Sequence, residues 1–233
     1  MKAVLLIRIG LFGVSLCGLT GQAYAAPKTS LDAATVFGDC FLDRDRPMAR
    51  AVVVNVSTIQ VPKATGNIMA ACLTVTAGMN SVITFSNFSF HYMLAQALVR
   101  SDYGTLRHFD FSSVLPLIHR PPNPVDVTLK GEGAKQAQQD FEQKELSFLL
   151  SQFGECVVRR QPDYVHVLLL APAESESELV SFQNISTSLN DCVRVGQQIK
   201  FDRKLLKGVL ALNFYRLAGT PAGAQVATLR ENN

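Results

Sequence analysis

The chain has 233 residues, of which 48% are hydrophobic and 18% charged, and its formal net charge is +3. A chain of this length buries a sizeable core in one or two domains, and its low charge excludes extensive disorder. The near balance of 22 basic and 19 acidic residues excludes a dominant nucleic-acid footprint, which needs clustered, unbalanced Lys and Arg.

Residues 1–25 have the pattern of an export signal, with a basic start, an eleven-residue apolar stretch at 9–19 and an A-x-A site. The apolar stretch is too short to span a bilayer, and no later segment is long and apolar enough to do so. We therefore expect cleavage between Ala25 and Ala26, a periplasmic or secreted mature chain, and no transmembrane segment in that chain. An uncleaved anchor and a lipoprotein processed at Cys17 are the alternatives.

The mature chain is predicted to be mainly α-helical, and its first helical unit spans 26–103. Apolar residues at helical spacing in "AATVFGDCFL" predict a helix, and "DRDRP" predicts a break before a second short helix at "MARAVVV". A Cys-bearing helix, one brief strand at "SVITF" and a last helix at "NFSFHYMLAQALVRS" complete the unit.

A connector at 104–133 has the prolines and glycines of a loop, but it is too apolar for a flexible tether. Part of it is therefore expected to pack on a unit. A second helical unit at 134–218 repeats the plan, with Ser175 and Asp202 as helix N-caps. Residues 219–233 are expected to form a loose tail, and β structure is limited to short segments.

The two units read as copies of one pattern. A shift of 116 residues places 37–54 on 153–170 and 83–100 on 199–216, with nine identities in 36 positions. Phe-Gly-acid-Cys occurs in both copies. Two copies indicate a duplication rather than a solenoid, so we predict two pseudo-equivalent units packed together.

Cys40, Cys72, Cys156 and Cys192 remain after signal removal, which is an even number in an oxidising compartment. Of the three possible connectivities, the duplication selects Cys40–Cys72 and Cys156–Cys192. A metal site built from all four thiolates is the alternative, but the chain lacks a CxxC pair and zinc-type spacing, so no metal or other cofactor is expected. Cys72 falls on Ser188 in the shifted register. Either a helix that slid by one turn or a compensating insertion and deletion explains this.

Motifs that carry chemistry are absent from the sequence, including the P-loop, G-x-G-x-x-G, G-x-S-x-G and H-E-x-x-H. His108, Asp110 and His119 in the connector are candidates for a metal or acid–base site. Polar residues on the surface of a packed loop are the plainer interpretation. We therefore predict no catalytic residue.

Asp39 and Glu155 occupy equivalent positions, and a pseudo-two-fold arrangement would bring the two acids together at a cleft. Each is instead expected to face solvent from a helix turn. Gly38 and Gly154 precede them and reduce helix stability relative to Ala. The expected reason for these glycines is the close approach of another helix.

The segments "CVVRRQP", "GQQIKF" and "LLKGVLALNFYRL" resemble a group of uncharacterised exported bacterial proteins that carry one or two copies of a Cys-containing helical unit. The resemblance covers both units but not the connector. It implies an exported helical protein and brings no known activity or functional residue.

Export, disulfides, duplication and the missing catalytic motifs together predict a non-catalytic protein that binds an unidentified protein or envelope partner. A periplasmic immunity or inhibitor protein is one alternative, and an enzyme with a site in the cleft between the units is another. A deep polar cleft would favour the enzyme, whereas an exposed apolar patch would favour a partner surface.

Overall fold

The computed structural model describes residues 30–55, 65–76, 87–193 and 202–220, and these residues form seven α-helices and no strand. The helices are α1 Ser30–Val54, α2 Gly66–Thr76, α3 Asn87–Tyr103, α4 Gly131–Arg160, α5 Pro162–Leu170, α6 Glu176–Cys192 and α7 Arg203–Ala218. The predicted mainly α fold is therefore confirmed. The export signal with its cleavage site, both brief strands and most of the tail lie outside the described residues. None of the described helices combines the length and hydropathy needed to cross a membrane.

Two helical runs are interrupted at positions 116 residues apart. In α1 the backbone of Asp45 leaves helical geometry (φ −154°, ψ 77°), two residues before Pro47. α4 ends at Arg160, and Gln161 has a similar backbone (φ −142°, ψ 62°) before Pro162 opens α5. Proline suits the first turn of a helix and cannot continue the preceding one. Both predicted breaks are confirmed.

Two disulfides join neighbouring helices. Cys40–Cys72 links α1 to α2 with a Cα separation of 5.7 Å, and Cys156–Cys192 links α4 to α6 with a Cα separation of 5.8 Å. Both separations lie at the commonest value for native bridges. The predicted pairing is confirmed.

α3 and α7 form the centre of the molecule and run in the same direction. Tyr92 lies beside Gly208 near their first turns, and Tyr103 contacts Tyr215 near their last turns. α1 packs on α3, and α4 packs on α7. Both helices bury an apolar face, which consists of Phe90, Met93, Leu94, Ala97 and Leu98 on α3 and of Leu206, Val209, Leu210 and Phe214 on α7. Most of the opposite face of α7 is buried too, so this helix is central rather than amphipathic.

Glycines allow the outer helices to approach the central ones closely. A Cβ added to Gly38 on α1 would lie 2.8 Å from the Met93 carbonyl oxygen and 3.1 Å from Ala97. A Cβ added to Gly154 on α4 would lie 2.7 Å from the Val209 side chain. These separations are shorter than van der Waals contact, which confirms the expected role of both glycines in helix approach.

Ser175 and Asp202 cap α6 and α7 as predicted. The Ser175 hydroxyl accepts from the Glu178 amide at 3.2 Å, and Asp202 Oδ1 accepts from the amide three residues later at 2.7 Å. Glu178 departs from the simple capping box because its Oε2 accepts from the Glu174 amide instead of the Ser175 amide. Its other oxygen points inward to Lys207.

We expect Gly208→Ala to lower the free energy of unfolding by about 2 kcal/mol, since overpacking a close helix contact outweighs the gain in helix propensity. The new Cβ would lie 2.6 Å from Tyr92 Cβ and 2.7 Å from its Cγ. Gly133→Ala is the matched control, because the described residues place no side chain, and no backbone outside its own helix turn, within 4 Å of its added Cβ. Urea unfolding measures both variants. Equal stability of the two would contradict the close α3–α7 approach.

Candidate functional site: the anchored connector

The connector between α3 and α4 packs on α4, α5 and α7. Phe109 and Phe111 are buried, and their rings lie 4.7 and 5.5 Å from that of Phe214 on α7. His166 of α5 stacks on Phe214 at 5.5 Å, and its Nε2 lies 3.0 Å from the Tyr103 carbonyl oxygen, to which it donates. Part of the connector therefore packs on the helices of the core, as expected of a segment too apolar for a flexible tether.

Arg159 of α4 holds the next stretch of the connector through its backbone. Nη1 donates to the carbonyl oxygens of Phe111 at 2.7 Å and Val114 at 2.9 Å, and Nη2 donates to that of Leu115 at 2.8 Å. Nε donates to Glu155, one turn earlier on α4, at 2.7 Å. One guanidinium therefore positions three carbonyl groups and a carboxylate.

Glu155 provides the second attachment. Its Oε1 accepts from the Leu117 amide at 3.0 Å, and its Oε2 accepts from His119 Nε2. The other ring nitrogen, Nδ1, lies 2.9 Å from Ser151 Oγ. Because a carboxylate only accepts, it places an imidazole proton on Nε2. The expectation that Glu155 faces solvent is wrong, since the connector covers it and leaves the residue 7% exposed.

The attachment holds Glu155 in its ionised form. Burial by itself raises the pKa of Glu155, but hydrogen bonds from His119, the Leu117 amide and Arg159 outweigh burial and lower the pKa to about 2. The carboxylate therefore stays charged well below the pH at which an ordinary glutamate takes up a proton. Residues 111–119, held by Arg159 and Glu155, are called the anchored segment below.

Glu155 is expected to make stability depend on pH. Its folded pKa lies below the ordinary value of 4.5, so its stabilising contribution is full above that value and is lost as the pH falls toward 2. We expect Glu155→Gln to lower the free energy of unfolding at pH 7 by on the order of 2 kcal/mol and to abolish this part of the pH dependence.

Urea unfolding at pH 7, 4 and 2.5 tests this dependence. Glu142→Gln is the matched control, because Glu142 is an exposed acid on α4 whose partner is the Gln138 amide at 2.8 Å. A difference between wild type and Glu155→Gln that stays constant from pH 7 to 2.5 would contradict the role given to Glu155.

Ser151, His119 and Glu155 have the connectivity of a Ser-His-acid relay. Acyl transfer also requires N–H donors aimed at a developing oxyanion. Ser151 lies well inside α4, where backbone amides are committed to helix hydrogen bonds. Glu155 is also shared with Arg159. The arrangement therefore fits attachment of the connector better than nucleophilic catalysis.

The other connector candidates bind elsewhere. His108 Nδ1 lies 2.7 Å from Asp163 Oδ2 at the start of α5, and Asp110 accepts from the Ser112 amide at 2.9 Å. Within the described ranges, no group of three or more His, Cys, Asp or Glu side chains is arranged to hold a metal ion.

The two acids at equivalent positions also have separate partners. Asp39 lies on α1 with its side chain 52% exposed, as expected, and its Oδ1 accepts from Arg100 Nη2 at 2.7 Å. Glu155 instead binds the connector. The acids form no shared acid pair, and this removes the acid-pair form of the enzyme hypothesis.

Two large apolar side chains project from the anchored segment. Leu115 is 83% exposed and Ile118 is 77% exposed, whereas Leu117 between them is half-buried and His119 lies against α4. Sequence reasoning missed Arg159 as the organising residue. The available signal was the acid–arginine pair, four residues apart, on a helix that adjoins an apolar loop.

The chain matches no protein-family model, no curated protein and no solved structure.

Proposed function

We propose that this is an exported, non-catalytic binding protein that uses the anchored segment, residues 111–119, to bind a partner protein. The observation that carries the proposal is the exposure of Leu115 and Ile118 on a backbone held by side chains of α4. Large apolar side chains exposed together mark interaction surfaces more often than single ones do.

Anchoring favours binding because it reduces the entropy lost when a loop becomes ordered at an interface. Arg159 and Glu155 hold four backbone groups of the segment through the three carbonyls and the Leu117 amide. The outward side chains therefore keep one spacing with or without a partner. A loop whose only role was to join α3 and α4 would not require this number of attachments.

The partner is expected to be a protein with an apolar groove and an acidic rim. The groove accommodates Leu115 and Ile118. The rim is inferred from charge, because Arg120 is the only Lys, Arg, Asp or Glu between Val114 and Val125 and its side chain is exposed. Charge complementarity of this kind selects partners and speeds association.

Export and duplication belong to the same proposal. Disulfides such as Cys40–Cys72 and Cys156–Cys192 persist in oxidising compartments, which fits the export signal. Duplication is supported by equivalent features 116 residues apart: the breaks at Asp45 and Gln161, the glycines at 38 and 154, and their contacts at 93 and 209. N-terminal sequencing of exported material tests export and should begin at Ala26.

Capture of binding proteins from an envelope fraction tests the proposed function. We expect wild type to retain a specific protein, and Leu115→Ser/Ile118→Ser to retain at least tenfold less of it, since two apolar anchors are lost. Val127→Ser is the matched control, because Val127 is 95% exposed but lies outside the anchored segment.

Equal capture by all three proteins would contradict the proposal. Light scattering of purified wild type adds a second check. A dimer that Leu115→Ser/Ile118→Ser converts to a monomer would identify the occupant as a second copy of this chain and overturn the proposed heterologous partner.

A further inference from the structure

Residues 115–125 of the connector run outside helix, strand and turn. Their backbone makes no hydrogen bond to other backbone groups of the described residues, and the Leu115 carbonyl and the Leu117 amide bind side chains of α4 instead. The stretch contains four prolines, at 116, 121, 122 and 124. Proline fixes φ at about −65° and holds the residue before it to extended or polyproline II geometry. The prolines therefore favour polyproline II here, a conformation without internal hydrogen bonds.

The exposure of the side chains along this stretch follows the period of a polyproline II helix. That helix has about three residues per turn, so positions three apart lie on one edge. One edge is exposed at every position, and it consists of Leu115, Ile118, Pro121 and Pro124. The next edge lies against the protein after an exposed Pro116, with half-buried side chains at His119, Pro122 and Val125. The exposed edge, called the apolar ridge below, is therefore a continuous row of apolar side chains.

The prolines exclude one of the two common ways in which an extended segment binds a protein. Addition to the edge of a β-sheet requires backbone N–H donors along the segment. Pro121, Pro122 and Pro124 have no N–H group, and the Leu117 amide already donates to Glu155. Recognition of a polyproline II helix uses the ridge of side chains, and the preformed backbone loses little entropy on binding.

We propose that the partner recognises the apolar ridge as a polyproline II ligand, in a groove lined by aromatic side chains. Grooves of this class bind Pro-rich segments whose apolar positions lie three residues apart. Arg120 is exposed on the adjacent edge and suits an acidic residue beside the groove. This inference rests on the proposed binding function. It adds the class of the partner's groove and two contact residues, Pro121 and Pro124, beyond the anchored segment.

Capture from the envelope fraction with a proline variant separates this inference from the proposed function. We expect Pro121→Ala/Pro124→Ala to retain about fivefold less of the protein that wild type retains, because two ridge contacts and the preset backbone are lost. Pro172→Ala is the matched control, because Pro172 is exposed between α5 and α6, outside the connector. It should retain as much as wild type.

Full capture by Pro121→Ala/Pro124→Ala, together with a loss in Leu115→Ser/Ile118→Ser, would overturn the inference and leave the proposed function standing. Unchanged capture by Leu115→Ser/Ile118→Ser contradicts the proposed function, and the inference falls with it.

Competition with a decaproline peptide tests the class of groove on the wild-type protein alone. Decaproline forms a polyproline II helix and contains neither Leu nor Ile, so it shares only this conformation and its prolines with the apolar ridge. We expect millimolar decaproline to release the retained protein from wild type, and a flexible Gly-Ser decapeptide at the same concentration to release none. Equal release by the two peptides, or no release by decaproline, would overturn the inference.

Discussion

Replacing Cys156 and Cys192 together by alanine is expected to lower the free energy of unfolding by about 4 kcal/mol. The bridge joins residues 36 apart in sequence and links α4, which carries the anchored segment, to α6. Its loss releases a long loop in the unfolded chain, and that gain in entropy is the main source of the effect in the chain-entropy model. Calorimetry or urea unfolding without reductant measures it.

The Cys40→Ala/Cys72→Ala variant provides a second test of the same effect, because the Cys40–Cys72 disulfide closes a loop of similar length, with its cysteines 32 residues apart. A comparable loss is expected there. A change below about 1 kcal/mol in either variant would contradict the expected stabilisation of the fold by the two disulfides.

Lys207→Met is expected to lower the free energy of unfolding by about 3–5 kcal/mol, because it leaves a buried carboxylate without its cation. Lys207 Nζ lies 2.8 Å from Glu178 Oε1 and 2.7 Å from the Ala171 carbonyl oxygen, and the two side chains are 5% and 4% exposed. The pair fastens α7 to the first turn of α6, and the bond to Ala171 fastens it to the end of α5.

Replacing both partners of the ion pair by apolar residues should recover most of that loss in stability. Burial lowers the pKa of Lys207 despite the opposing hydrogen bond that Lys207 donates to Glu178, so the burial of its charge is not fully compensated. We therefore expect Lys207→Met/Glu178→Leu to lie within about 1 kcal/mol of wild type.

Lys135→Met is the matched control, since Lys135 pairs with Glu132 at 2.8 Å while both side chains are largely exposed, 71% and 89%. Its effect should stay below about 0.5 kcal/mol. If Lys207→Met lowers the free energy of unfolding as little as Lys135→Met does, Lys207 and Glu178 are not paired in solution. Urea unfolding of the four proteins at one pH provides the comparison.

Local signals in the sequence predicted much of the fold. Pro162 and Asp202 act within one turn of their own positions, so the helix break and the cap follow from neighbouring residues alone. The disulfide pairing followed from the repeat rather than from local chemistry. The glycine contacts were predictable because Gly inside a helix is unfavourable unless another helix approaches closely.

Long-range packing was not predictable in the same way. Glu155 was expected to be exposed, and this expectation failed because distant residues bury it. Leu117 and His119, which cover its carboxylate, lie 38 and 36 residues earlier in the chain. Lys207 and Asn213 are polar residues of α7, and each is buried by packing with an interior hydrogen bond. An amphipathic pattern predicts which single face of a helix packs on the core. It does not predict the burial of α7, because this helix is enclosed on nearly all sides.

The proposed binding function depends on the attachment of the anchored segment to α4. Amide hydrogen exchange at Leu117 tests this attachment most directly. The Leu117 amide donates to buried Glu155 at 3.0 Å, whereas Val127 is 95% exposed in the same connector. We predict that Leu117 exchanges at least ~100-fold more slowly than Val127 after correction for intrinsic rates, and that Glu155→Gln reduces this protection. Exchange of Leu117 as fast as that of Val127 in the wild-type protein would contradict the account.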